Sequence, residues 1–533
     1  VDEFQDTASP QMSLLVKLTN GWEHGDGRTL FIVGDGMQSC YGFRDANVGL
    51  FLEAHARGIG DTELNSLQLK VNFRSQGAVV DWINQSFAKA YPAQDDISRG
   101  AVSYSPSIAF KPRLPIRAVN CYACVADVDD DNATQSSRFA EAEKIVSIIK
   151  QTQTERPNGT IAVLVRSRPH LKHTLQKLTE AGLSWQATEI DALISRMAIV
   201  DLLSITRALH APSERIAWLA FLRSPLIGLS LSDLHALSQH GKTNSDNPAK
   251  WATLLIQLQN YPDNNMLSDS GRKIMSRVIP ILNTLWQERR RKSLRTSVQG
   301  LWLNLGGPAA VLDASDINNC NSFFDLLDKH DRGGAVENWP KFESAVKRLY
   351  ASPAQNGNDK LQVMTIHKSK GLEFGTVIIP GLDKQPRQDD KELLLWQERV
   401  DTSGQAQLLL GPLAPTGEDT DPLYHYLRQE SQRKDSLEST RLLYVGCTRA
   451  INQLHLLAAV KQKKDDLQEP SKKSLLSCIW PSFVDQCLTI KAKPIAISGR
   501  NGAQAILRLP PEWQMPPLNN NELLAAYRGQ FEV

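Results

Sequence analysis

The chain has 533 residues, of which 41% are hydrophobic and 22% charged, and a formal net charge of +2. That length exceeds a single hydrophobic core and predicts three or four domains. The near-zero charge excludes an overall basic field, so a nucleic-acid surface must be a local groove, and no apolar run reaches the roughly 18 residues of a membrane span.

The sequence opens on Val1-Asp2-Glu3-Phe4-Gln5-Asp6, with no export signal and no starting methionine, so the expectation is a cytoplasmic piece of a longer protein. Asp2 and Glu3 are adjacent carboxylates where a strand should end, and by themselves they read as a solvated acidic run. Leu30-Phe31-Ile32-Val33, followed by Gly34-Asp35-Gly36, predicts a buried strand that ends in a loop. Gln38 in that loop can reach a phosphate. Tyr41, Phe43 and Arg44 set two aromatics beside a cation, which suits the stacking of single-stranded bases. Core packing is the plainer use of the two rings, but the flanking Gly and polar residues favour a loop.

Ala142, Ile145, Val146 and Ile149 share one helical face over 139–151, and Ile161–Val165 reads as a buried strand. A further helix runs from about His170 to Ala181 and stops at Gly182. This alternation indicates a parallel α/β sheet covered on both faces. From about 190 to 350 strand signals nearly vanish, which predicts a mostly helical insertion. Strands resume at Leu361–Ile366, Thr376–Ile379 and Leu454–Val460. Beyond about 465 a Lys- and Pro-rich composition predicts an extended tail. The seven cysteines are scattered, with Cys121-x-x-Cys124 the one close pair, and read as reduced thiols. Gly241-Lys242-Thr243 ends like a phosphate-binding loop, but Ala236 stands where the leading Gly belongs. A helical stretch, Leu231 to Gln239, precedes it instead of a strand.

Val1–Thr7, Gly34–Arg44, Asn72-Phe73-Arg74-Ser75, Val363–Phe374 and Arg441–Ala450 follow one another in an order that resembles motifs two to six of the superfamily-one helicases. The likeness covers residues 1 to about 460. His367-Lys368-Ser369-Lys370-Gly371 and Leu222–Ser230 resemble RecB and AddA more than UvrD or Rep. Gly36-Met37, Gly42, Asp45 and Cys447 depart from the commonest wording, at positions that carry no catalytic charge.

The resemblance implies RecA-like motor domains of the P-loop NTPase type, with a helical inserted subdomain. Residues 1–62 would be the end of the first motor domain. The second would occupy 63–187 and 356–465, around an accessory insertion at 188–355 and before a C-terminal extension at 466–533. It further implies ATP and Mg²⁺ as cofactors. Asp2 would hold the metal, Glu3 would be the catalytic carboxylate, Gln38 would sense the γ-phosphate, and Arg74 and Arg449 would be paired arginine fingers. Phe73 would stack on adenine, Glu373 would accept from the ribose, and Gly371 would sit beside the nucleotide. Tyr41, Phe43, Arg44, Thr365, His367 and Lys368 would line a single-strand track.

The expected partners are single-stranded DNA and duplex–single-strand junctions, with other subunits of a RecBCD- or AddAB-like complex, and no membrane. The expected movement is 3′ to 5′, in DNA repair or recombination. A glycine-rich phosphate loop is expected upstream of Asp2, so ATP hydrolysis by these residues alone is expected to be absent. The second reading is a non-catalytic DNA- or partner-binding subunit that kept the fold. Degenerate relatives of that kind lose fingers or carboxylates, whereas Asp2, Glu3, Gln38, Arg74 and Arg449 are all present.

Overall fold

The computed structural model describes residues 1–23, 25–42, 45–126, 132–187, 193–239, 254–288, 291–311, 314–349, 360–386, 392–400, 406–415, 421–463 and 466–494. The chain divides into two compact units, whose described residues are 1–186 with 360–494, and 187–349.

In the first unit, Asn72-Phe73-Arg74 lies on β1 (Val71–Gln76), which pairs in parallel with β2 (Ile108–Lys111). Six of the seven strands of the main sheet are β3 (Val119–Val125), β4 (Ile161–Val165), β5 (Leu361–Thr365), β6 (Phe374–Ile379), β7 (Ala450–Ala459) and β8 (Cys487–Lys491). These six run in parallel in the order β8–β3–β7–β6–β4–β5. All five residues of β4 are buried, as an apolar run covered on both faces requires. Alternation along β7 divides its side chains between two layers. Leu454, Leu456 and Ala458 meet the helices Gly77–Ala90 and Pro422–Cys447 in one core, with Val79, Ile83, Phe87 and Leu443. His455 turns to the other face, where it stacks on Tyr122 at 6.1 Å beside the helix Ala133–Glu155, whose Lys144 lies over the Tyr122 ring. That helix buries Ala142, Ile145 and Ile149 of the expected stripe, leaves Val146 half-buried, and outruns the expected span at both ends.

His455 is buried, and neither ring nitrogen has a partner among the described residues. Burial pulls its pKa down to about 4, and His170 is lowered to about 4 for the same reason. An unfolded histidine titrates near 6.5, so between about 6.5 and 4 the unfolded chain binds protons that the fold refuses. Stability should therefore fall as pH drops through that window, by on the order of 3 kcal/mol per ring at most. His455→Phe should flatten part of the slope in urea titrations at pH 7 and pH 4.5. An unchanged slope would mean that the ring is not the acid-sensitive group.

Two expectations need correction. Leu30–Val33 is not an assigned strand. It is extended and bonded to the first residues, with Phe4 N–H donating to Val33 O at 2.9 Å and Val33 N–H donating to Val1 O at 2.9 Å. Leu30 and Ile32 pack against Phe4, Ala54 and Ile59, while Phe31 and Val33 alternate onto an exposed face. Two extended segments cannot bury both faces of either one. Further along, Met37, Cys40, Val48 and Leu52 join the core of the main sheet, so this stretch leans on its neighbour. Beyond 465 the described residues are not an extended tail. Leu475, Leu476, Ile479 and Phe483 enter the same core, and β8 pairs with β3, Cys487 opposite Cys121. Residues 495–533, with Pro510, Pro511, Pro516 and Pro517, lie outside the described residues.

The second unit is helical, with no strand assigned between residues 193 and 349 among those described. Trp218, Phe221, Val298, Phe323, Phe324 and Phe342 contribute to its core. The helix Leu231–Gln239 spans the expected residues, and Gly241-Lys242-Thr243 lies outside the described ones. Among the described residues no helix is long and apolar enough to cross a membrane.

Candidate functional site

The first motif turns on Glu3, whose left-handed backbone (φ 52°) is uncommon for a non-glycine residue and is the kind of strain that functional sites retain. From Glu3 a continuous polar chain crosses the first unit. Lys370 Nζ lies 2.9 Å from Glu3 Oε2 and also contacts Asp6. Glu3 Oε2 accepts from Gln5 Nε2, and Gln5 Oε1 accepts the Asp35 N–H at 2.9 Å. Asp35 Oδ2 accepts from Gln38 Nε2 at 2.8 Å, and Gln38 Oε1 accepts from Arg449 Nη2 at 3.1 Å. Four of the five motif segments are joined in this way.

Arg449 follows the long helix Pro422–Cys447 and is only 2% exposed. Its other acceptors are Val445 O at 3.0 Å, Leu372 O at 3.3 Å and Thr448 Oγ1 at 3.1 Å, all neutral like Gln38 Oε1. Burial, then the nearby Arg74 cation, lowers its pKa to about 10. A buried guanidinium held by neutral oxygens alone favours the arrival of an anion. Arg74 Nη1 donates to the Thr448 carbonyl at 3.4 Å, so Thr448 touches both guanidinium groups. Arg74 Nε pairs with Glu373 Oε2 at 2.9 Å, which occupies the carboxylate assigned by resemblance to a ribose.

Phe73 is 64% exposed on β1, and its ring lies 4.9 Å from that of Phe110, 68% exposed on β2. These strands leave an aromatic pair open to solvent. Asp2 is exposed, and its described contact is the N–H of its neighbour Glu3 at 2.9 Å; among the described residues it meets none of the candidates from the other motifs. Thr365 ends β5, and His367 and Lys368 lie in the helical turn after it. Tyr41 OH donates to His367 O at 3.2 Å, and Lys370 Nζ sits 5.2 Å from the Tyr41 ring centroid. Glu3, Asp6, Tyr41, Lys370 and Gly371 line an open cleft of about 510 Å³. Gly371 has φ +85°, a conformation that favours glycine, and no atom would meet a Cβ there within 4 Å. Phe43 and Arg44 lie outside the described residues.

Sequence reasoning assigned no role to Lys370, although it stands inside a motif. Its side chain is 7% exposed; burial disfavours the ammonium, but the Asp6 and Glu3 carboxylates outweigh that and raise its pKa. Gln5 and Asp35, the middle of the polar chain, were also missed, as was Arg441. Arg441 is buried and donates to Ser39 O at 2.7 Å and Gly100 O at 2.9 Å. A charged residue at the head of an otherwise apolar helical run (Arg441 before Leu442, Leu443 and Tyr444) is the signal that could have flagged it.

Residues 67–461 match the UvrD-like helicase C-terminal domain, and residues 1–57 match the UvrD/REP helicase N-terminal domain. The chain belongs to the UvrD-like helicase family. It is 28% identical over 514 residues to an ATP-dependent helicase/nuclease subunit of Exiguobacterium sibiricum, covering 88% of this chain and 40% of that protein. It is 27% identical over 516 residues to the protein of the same name from Lactococcus lactis subsp. lactis, covering 87% and 40%. It is also 27% identical over 524 residues to the exonuclease/helicase subunit RexA of Lactococcus lactis subsp. cremoris, covering 86% and 40%. The chain thus spans about 40% of the length of these curated relatives.

Among the described residues no group of three His, Cys, Asp or Glu side chains could hold a metal ion. Mg²⁺ usually takes one or two carboxylates and completes its shell with phosphates and water. The exposed Asp2 carboxylate fits that role, whereas Glu3 is engaged by Lys370.

Proposed function

We propose that the chain is the greater part of an ATP-driven motor that moves along single-stranded DNA, 3′ to 5′, within a cytoplasmic repair or recombination complex. The observation that carries this reading is the polar chain from Lys370 and Glu3 through Gln5, Asp35 and Gln38 to Arg449, since it links the carboxylate read as water-orienting to a buried cation whose hydrogen bonds go to neutral oxygens. Asp2 would hold Mg²⁺, which neutralises phosphate charge when bound. Arg74 and Arg449 supply positive charge to the transferring phosphoryl group, and Gln38 ties that event to the loop of Tyr41. Phe73 offers an exposed ring to the adenine, and Glu373 exchanges its Arg74 partner for a ribose hydroxyl. Among the 533 residues only Gly241-Lys242-Thr243 resembles a phosphate loop, and Ala236 spoils it, so hydrolysis draws on a cradle from another segment.

A non-catalytic role is the weaker reading, because it gives no reason to keep Glu3, Gln38 and Arg449 joined as they are. Tyr41, Thr365, His367 and Lys368 would meet the strand together with Phe43 and Arg44. Phe43→Ala is expected to weaken binding of a fluorescent oligo-dT by roughly 1–3 kcal/mol with little base preference. Unchanged affinity with a much lower melting temperature would make Phe43 a core residue.

A further inference from the structure

Two of the residues that hold the loop of Tyr41 belong to the long helix that leads to Arg449. Residues 39–42 are held from outside the loop by, among others, three contacts. Arg441 Nε donates to Ser39 O at 2.7 Å, Glu438 Oε1 accepts the Gly42 N–H at 3.1 Å, and Tyr41 OH donates to His367 O at 3.2 Å. Two of the three come from the long helix Pro422–Cys447, less than two turns apart along it. Glu438 accepts no other described hydrogen bond. A carboxylate whose one bond is to a backbone N–H fixes the path of the chain rather than the identity of a side chain.

Position 42 is matched to that bond by size. A Cβ on residue 42 would lie 2.5 Å from Glu438 Oε2 and 3.2 Å from Glu438 Cδ. Any larger residue must push the carboxylate aside and so disturb the bond that it makes. The glycine at this departure from the commonest wording therefore has a stereochemical partner, 396 residues further along the chain.

We propose that Glu438 is a positioning residue for single-stranded DNA. It clamps the loop of Tyr41 through the Gly42 N–H and so places the Tyr41 ring in the track, with glycine at 42 as the other half of the clamp. This rests on the reading that Tyr41 meets the strand. Stacking depends on where the ring sits, and a ring held by a supported backbone gives up more affinity when the support is cut than its own contacts lose.

The test is a double-mutant cycle on the 533-residue chain, with affinity for a fluorescent oligo-dT read by anisotropy and melting followed by circular dichroism. Glu438→Ala should weaken binding by about tenfold, the size of one charge-assisted hydrogen bond, with melting little changed. Glu438→Gln keeps an acceptor oxygen and should bind nearly as the parent does. Gly42→Ala should weaken binding at least as much as Glu438→Ala. The double variant should be no worse than the poorer single one, because the clash disappears with the carboxylate. Additive losses, parent-like binding in every variant, or affinity losses that simply follow melting would each overturn the clamp. Failure of the parent chain to bind the oligonucleotide would overturn the underlying reading of Tyr41, and the clamp with it.

Discussion

Arg449→Ala is expected to lower ATP hydrolysis by about 10³-fold or more while single-strand affinity stays near that of the parent. The measurement is made on a polypeptide in which this chain is joined to a phosphate cradle. Arg449 is buried among neutral oxygens, beside a second guanidinium, so its charge is costly at rest and gains most when an anion arrives. A group of that kind acts on the charge that develops during phosphoryl transfer. Its removal should therefore appear in kcat more than in the KM for ATP. Arg449→Lys should rescue little, since one ammonium cannot reproduce a fork that bonds Val445, Leu372, Thr448 and Gln38 together. Loss of DNA binding with hydrolysis unchanged would reverse the assignment.

Phe87→Ala is expected to destabilise the first unit by about 3–5 kcal/mol, the largest effect foreseen for a residue with no chemical role. Phe87 is fully buried on the helix Gly77–Ala90, with its ring 5.3 Å from Tyr444 and 6.1 Å from Tyr91. Tyr91 also meets Tyr444 edge-on at 5.8 Å and donates through its hydroxyl to Met37 O at 2.9 Å. The cluster thus braces the helix that leads to Arg449 and the turn that carries Gln38. Hydrogen exchange should report the loss as faster exchange in residues 77–90 and 440–448, with urea stability lowered in parallel. A change below about 1 kcal/mol would mean that the cavity collapses at little cost and that the cluster braces nothing.

What could be read from the sequence, and what could not, divides along physical lines. Ile161–Val165 was legible because a five-residue apolar run fits a strand buried on both faces. The helix Leu231–Gln239 was legible because its apolar residues recur at helical spacing. Leu30–Val33 has the same composition as a buried strand, but its two faces differ in what covers them, which composition cannot convey. β8 was hidden because Leu488 is exposed and Lys491, Lys493 and Pro494 follow closely, as befits an edge strand. In the candidate site, local motifs named Gln38, Arg74, Glu373 and Arg449, and the fold brings those four together. Lys370 meets Asp6 across 364 residues, and Glu438 meets Gly42 across 396, so neither pairing leaves a trace in local wording. Gln5 and Asp35 are more subtle still, because each acts as a link between groups that the motifs already named.

The most direct test of the proposed motor is the DNA dependence of ATP hydrolysis by this chain joined to a phosphate cradle. Tyr41 contacts His367 and lies beside Lys370, and Lys370 holds Glu3, so the proposed track and the proposed catalytic carboxylate are two ends of one connected set. Hydrolysis should be slow without DNA, should rise when oligo-dT is added, and should fall to background in Glu3→Gln under both conditions. Hydrolysis that ignores the oligonucleotide, or that survives Glu3→Gln, would contradict a motor built on this site.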